Sequence, residues 1–137
     1  MIENLRTEYG FRINAPGYIL LPEITAWFND LRTKVAVKKG RPFGLMVDIR
    51  SQRANPPETQ DVIKQAMVWL KQNGMVRSSV VLDSTVARLM MVRMSKQSGV
   101  YEWERYIDAS KDPDWEHKAI DWIVNAVEPS KEEDAAA

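Results

Sequence analysis

The stretch Phe43-Gly44-Leu45-Met46-Val47-Asp48-Ile49 decides the fold. It is apolar at successive positions, broken only by Gly44 and Asp48, and it does not alternate. Unalternated apolar strands are covered on both faces, the mark of a parallel sheet between helices. Two shorter runs share this character: residues 78–82, with Val80, Val81 and Leu82 in succession, and residues 103–107. The segments between them carry apolar residues three and four apart, the period of a helix that buries one stripe.

Outward from these runs the same logic continues. Residues 5–13 alternate, with Leu5, Thr7, Tyr9, Phe11 and Ile13 on one face and Arg6, Glu8, Gly10 and Arg12 on the other, which predicts one strand with a wet side. Asn14-Ala15-Pro16-Gly17 has turn chemistry, and residues 18–21 read as a short second strand returning as a hairpin. Pro22 suits the start of a first helix, with Ile24, Trp27, Phe28, Leu31 and Val35 as its stripe and Gly40 as its stop. Asn55-Pro56-Pro57-Glu58 has the form of a capping box, opening a second helix that buries Val62, Ile63, Ala66, Met67, Trp69 and Leu70. Asp83-Ser84-Thr85 offers N-caps for a third helix, which buries Val86, Leu89, Met90 and Met94 and leaves Met91 off the stripe for a dimer or partner surface. Asp112-Pro113 starts a fourth, lined by Trp115, Ala119, Ile120, Ile123, Val124 and Val127.

The resulting order predicts an α/β domain with a mixed, mostly parallel five-stranded sheet covered by four helices. It forms a single domain over residues 1–128, followed by a flexible tail at 129–137 without an apolar anchor.

Composition narrows the chemistry. The chain has 137 residues, 45% hydrophobic and 28% charged, which suits one globular domain. Lys plus Arg and Asp plus Glu number 19 each, so no basic excess points to nucleic acid. With no cysteine, disulfides, thiolate catalysis and thiolate metal sites are excluded. No stretch approaches the ~18 apolar residues of a membrane span, and residues 1–12 lack the apolar core of a secretory signal. The expected compartment is therefore the cytoplasm. One histidine, His117, flanked by Glu116 and Lys118, reads as a solvated helix face. Neither nucleotide-loop glycine motifs nor a nucleophile elbow occurs, so no catalytic residue, metal or cofactor is assigned.

In open parallel sheets ligands bind at the carboxyl ends of the strands, near a switch point in strand order. Those ends carry Asp48, Arg50, Ser51 and Arg53 after one strand, Asp83, Ser84 and Thr85 after the next, and Asp108 after the last. Glu58 and Val86 stand at two helix starts facing the same way. Arg50, Ser51, Arg53, Glu58, Asp83, Ser84, Thr85 and Asp108 define a candidate ligand or partner surface, although Ser, Asp and Arg also populate such loops for purely structural reasons.

Residues 43–50, the segment Arg77-Ser78-Ser79-Val80-Val81-Leu82-Asp83-Ser84, and Glu104-Arg105-Tyr106-Ile107-Asp108 with the following Asp112-Pro113-Asp114-Trp115 and Ala119-Ile120-Asp121-Trp122-Ile123 resemble the bacterial SpoIIAA-like family. That family is grouped with STAS domains and with the CRAL-TRIO-like fold, and the similarity runs from about Leu5 to Val127. The resemblance implies a mixed sheet covered by helices and a non-enzymatic regulatory or protein-interaction module. STAS antagonists are switched by phosphorylation within Asp-Ser-Ser-Gly. Here the corresponding stretch is Arg53-Ala54-Asn55-Pro56-Pro57-Glu58-Thr59, so the serine doublet is missing. The expected partner is a protein, with pairing of two copies also open. The alternative is a small anionic or apolar ligand, by analogy with CRAL-TRIO proteins.

Overall fold

In the computed structural model, which describes residues 1–129, the chain runs β1 (Glu3–Arg6), β2 (Gly10–Asn14), α1 (Leu21–Ala36), β3 (Phe43–Asp48), α2 (Pro57–Gln72), β4 (Met75–Leu82), α3 (Thr85–Ser98), a single 3₁₀ turn at Tyr101–Trp103, β5 (Glu104–Asp108) and α4 (Trp115–Asn125). The expected tail falls outside the described residues from 130 onward. The five strands lie in the order β1-β2-β3-β4-β5. The pair β1–β2 is antiparallel, and β2, β3, β4 and β5 are mutually parallel neighbours. The sheet is mixed, mostly parallel and five-stranded, as the apolar runs predict.

Each parallel crossover advances one strand in the same direction, so α1, α2 and α3 all cover one face. Phe11, Ile13, Leu45, Val80, Leu82 and Tyr106 meet those helices in the larger core. The alternate residues Met46, Val81 and Ile107 face α4, where Ala119, Trp122 and Ile123 close a smaller core. The strand order never reverses, so no switch point opens a crevice. The carboxyl-end loops instead form a continuous rim.

Several sequence expectations are corrected. Residues 5–13 are not one strand. Thr7 and Gly10 exchange backbone hydrogen bonds and close the β1–β2 turn there, shifting the parity, so Leu5 opposes Arg12 and is exposed while Asn4 opposes Ile13 and is buried. Residues 18–21 form no strand, because β2 is already paired on both sides by β1 and β3; Gly17 makes only an isolated bridge to Gln52. On α3, Met91 is buried while Val86 and Leu89 are exposed. The helix turns Ala87, Met90, Met91 and Met94 inward, since it packs on both the sheet and α2. On α4, Val124 is exposed, as is Val127 just beyond it. Trp103 belongs to the 3₁₀ turn before β5.

β1 is stapled to α1 by a buried asparagine. Trp27 Nε1 donates to Asn4 Oδ1 at 2.7 Å, Asn4 Nδ2 donates to Asp30 at 2.9 Å, and Lys34 Nζ donates to the Asn4 carbonyl. At the other side of the hairpin, Gly10 sits opposite Gly44 in the parallel register. Gly10 has φ +148°, and a Cβ there would lie 2.1 Å from the Gly44 carbonyl oxygen; a Cβ on Gly44 would lie 2.0 Å from Ile123 Cγ2. Gly10→Ala is therefore expected to destabilise the protein by about 3 kcal/mol or more, through backbone collision and strain. Gly17→Ala, at φ +77° with nothing within 4 Å, is expected to cost only the ~1–2 kcal/mol of a left-handed alanine. Urea unfolding of both variants checks this; equal losses would contradict it.

Candidate functional site

The rim begins with Asp48, the last residue of β3, which faces the α4 side. Arg50 donates to its carboxylate through Nε at 3.0 Å and Nη2 at 2.7 Å, and Arg12 of β2 through Nη2 at 3.0 Å. The Arg50 guanidinium also lies over the Trp115 ring, 4.4 Å from its centroid, and Arg12 reaches Glu116 at 3.3 Å. Burial alone would push the Asp48 carboxyl up, but the hydrogen bonds and charge of Arg50, joined by Arg12, outweigh it and hold the group below the usual carboxylate range. The cluster of Arg12, Arg50, Asp48 and Glu116 is balanced in charge. The guanidinium that the sequence offers to an anion is already committed to Asp48 and Trp115.

Next to it, Ser51 takes a left-handed backbone (φ +64°), and its N–H donates to both carboxylate oxygens of Asp83 at 3.1 and 3.0 Å. This clamp joins the β3–α2 loop to the end of β4. Arg50, Ser51 and Asp83 thus come together, lining an open cleft with Asn14, Pro16 and Asp48. The other candidates are placed differently. Ser84 is the N-cap of α3, accepting the Ala87 N–H at 3.1 Å. Thr85, Arg53 and Glu58 are exposed along the rim. The Arg53 N–H donates to the Gly17 carbonyl, tying together the loops after β2 and β3. Asp108 stands apart at the end of β5, accepting the Ser110 N–H at 2.9 Å and the Ser110 hydroxyl.

The expected capping box does not form. Pro57 starts α2 and forces its predecessor Pro56 into extended backbone (φ −64°, ψ 157°), so Pro56 takes the cap position and Asn55 lies one residue too early. Asn55 is buried, its carbonyl accepting from Gln60 Nε2 and its Nδ2 donating to Gln52. Thr59 is fully buried, its hydroxyl donating to the Ile19 carbonyl at 3.0 Å.

On the side of α1, α2 and α3 the rim also carries exposed apolar side chains. Tyr18 and Leu20 after β2, and Val86 and Leu89 at the start of α3, are between 53% and 65% exposed. Sequence periodicity assigned Val86 and Leu89 to the core and so missed this surface.

A second feature was also missed. Glu104, fully buried at the start of β5, meets Tyr106 and Ser78 from the sheet and Ser95 from α3. The Ser95 hydroxyl contacts the Met91 carbonyl, Glu104 and Tyr106. Burial pushes the Glu104 carboxyl up, against the opposing hydrogen bonds from Ser95, Tyr106 and Ser78. Burial, then the neighbouring Glu104, raises the Tyr106 hydroxyl as well. Glu104 and Tyr106 are two apart in a strand and share a face; that parity was the available signal. Glu104 and Ser78 also border an apolar cavity of about 60 Å³ between the sheet, α1 and α2. It is under half the size of an engineered cavity of ~150 Å³ that takes benzene.

Among the described residues, no three His, Asp or Glu side chains cluster so as to hold a metal ion, and no helix is long and apolar enough to cross a membrane. His117 is exposed on α4. Fold and site together define an α/β domain with sequential parallel strands and a structured carboxyl-end rim. Set against family models, curated proteins and solved structures, the chain has no match.

The Glu104 arrangement has a pH signature. Its folded-state value is raised, so its stabilisation is complete below the unfolded value of ~4.3 and is lost as pH rises from there toward the folded value. Glu104→Gln, which keeps a donor and an acceptor, is expected to remove a decline of up to ~1.4 kcal/mol per pH unit. Urea unfolding at pH 5, 6 and 7 measures it; an unchanged slope would show that Glu104 is ionised in the fold.

Proposed function

We propose that this chain is a non-enzymatic, STAS-like regulatory module of the bacterial cytoplasm that works by binding a protein partner at the rim formed by loop 50–58 and α3. One observation carries the reading. Tyr18 and Leu20 at the β2–α1 junction, and Val86 and Leu89 at the start of α3, are exposed on either side of the β3–α2 loop, which the Ser51–Asp83 and Arg53–Gly17 hydrogen bonds hold. Apolar side chains on a preorganised frame bind with little ordering cost. Large exposed apolar groups gathered at one place are the usual sign of a binding surface.

The family resemblance supports the same role, and the rim lies where that resemblance puts the regulatory helix start. The usual switch is replaced there. Pro56 and Pro57 carry no hydroxyl, and Thr59 is buried against the Ile19 carbonyl. Regulation by phosphorylation at the family's position is therefore not part of the proposal. The small-ligand alternative is weakened on both sides of the sheet: the inner cavity is smaller than a benzene site, and Arg50 is occupied by Asp48 and Trp115.

Retention of partners on immobilised protein tests the proposal. Val86→Ser/Leu89→Ser is expected to weaken the bound partner at least tenfold, about 1.4 kcal/mol. Val124→Ser on α4 is expected to leave it unchanged. Both variants alter exposed side chains, so their unfolding midpoints should stay close to the parent's. Equal retention by the parent and the rim variant, or a loss confined to the α4 variant, would overturn the assignment.

A further inference from the structure

The outward face of α3 is uneven in a way that describes its partner. Val86, Leu89, Arg93 and Lys96 are all exposed and follow one another at spacings of three, four and three, so they form one line along the helix. The first two are apolar and the last two cationic. The helix contains no Asp or Glu from Thr85 to Ser98. Among the described residues, no ion pair holds Arg93, Lys96 or the nearby rim residue Arg53. Arg93 donates to the neutral Gln60 side chain of α2, and Lys96 lies over the Tyr101 ring at 4.9 Å. On α2 the only carboxylates are Glu58 and Asp61, and Asp61 is paired with Lys64. The line therefore runs from an apolar end beside loop 50–58 to a cationic end with spare charge.

We infer that α3 docks an acidic amphipathic segment of another protein, with apolar side chains on Val86 and Leu89 and Asp or Glu side chains on Arg93 and Lys96. This rests on the protein-partner reading above and adds the chemistry of the partner. Helix-on-helix recognition is read through positions three, four and seven apart, and Val86 to Lys96 spans about 15 Å of helix, or some ten residues of a partner helix. Charge complementarity sets register and speeds encounter, and the apolar pair supplies the buried area. An anionic membrane fits less well. The opposite face of α3, with Ala87, Met90, Met91 and Met94, is locked into the core, so the helix cannot roll over and sink ~5–10 Å into a bilayer.

Selection from a displayed library of random 16-residue peptides, on the immobilised full chain, tests this. Enriched peptides are then measured by fluorescence anisotropy in about 50 and about 500 mM salt, which takes the screening length from about 14 Å to about 4 Å. The expected peptides are net acidic with apolar residues three or four apart. They are expected to weaken about tenfold in high salt, and at least tenfold toward both Arg93→Glu/Lys96→Glu and Val86→Ser/Leu89→Ser. Circular dichroism establishes that each variant is folded. Peptides that depend on Val86 and Leu89 but are indifferent to the charge reversal would overturn this inference and leave the rim reading standing. Peptides indifferent to both changes, or no enrichment at all, would overturn both. Binding of vesicles with 30% phosphatidylglycerol, of poly(U), or of a second copy of the chain, if lost on charge reversal, would also overturn it and reassign the face.

Discussion

The close approach of Gly10 and Gly44 is the constraint on which the arrangement depends. Their backbones meet with no space for a side chain, and Ile123 of α4 fills the position above Gly44. This contact lets β2 run parallel to β3 in a register that puts Asn14 opposite Asp48. Arg12, two residues before Asn14, then reaches the Asp48 carboxylate. The same contact draws α4 onto the sheet, bringing Trp115 and Glu116 to the Arg50 and Arg12 guanidiniums. A backbone feature at one end of the strands thus sets the polar cluster at the other.

The sequential strand order has its own consequence. When every crossover steps the same way, successive loops lie side by side instead of diverging, and the ligand crevice of a reversing sheet is absent. What remains is a long edge. On the α4 side it is polar and internally neutralised. On the side of α1, α2 and α3 it carries exposed apolar and then cationic side chains. The first half is occupied with its own hydrogen bonds, while the second half presents side chains that nothing in the described residues covers. That asymmetry is the physical basis for the proposal that α3 and loop 50–58 bind a partner.

The central strands were legible in the sequence because burial on both faces leaves a dense apolar run, and α1 was legible because it touches the sheet along one stripe only. Ser84 was legible for a similar reason: cap chemistry is local. The misreadings have nonlocal causes. The alternation from Leu5 to Ile13 survives a turn that shifts its parity, so only the Thr7–Gly10 closure reveals two strands. α3 contacts both the sheet and α2, which swings its buried arc toward Met91 and exposes Val86 and Leu89. Asn55 fails as a cap because two consecutive prolines displace the helix start by one residue. At the site, Arg50, Ser51 and Asp83 were found from their place at strand ends. Arg12, Trp115 and Glu104 were not, since their partners are distant in the chain.

Amide hydrogen exchange, compared between the free protein and its complex with a captured partner, addresses the central claim most directly. Slowed exchange at residues 52–58 and 85–96, with α4 and β1 unchanged, is the predicted pattern. Slowing confined to α4 or to the β1–β2 hairpin, with the rim exchanging as before, would contradict the account.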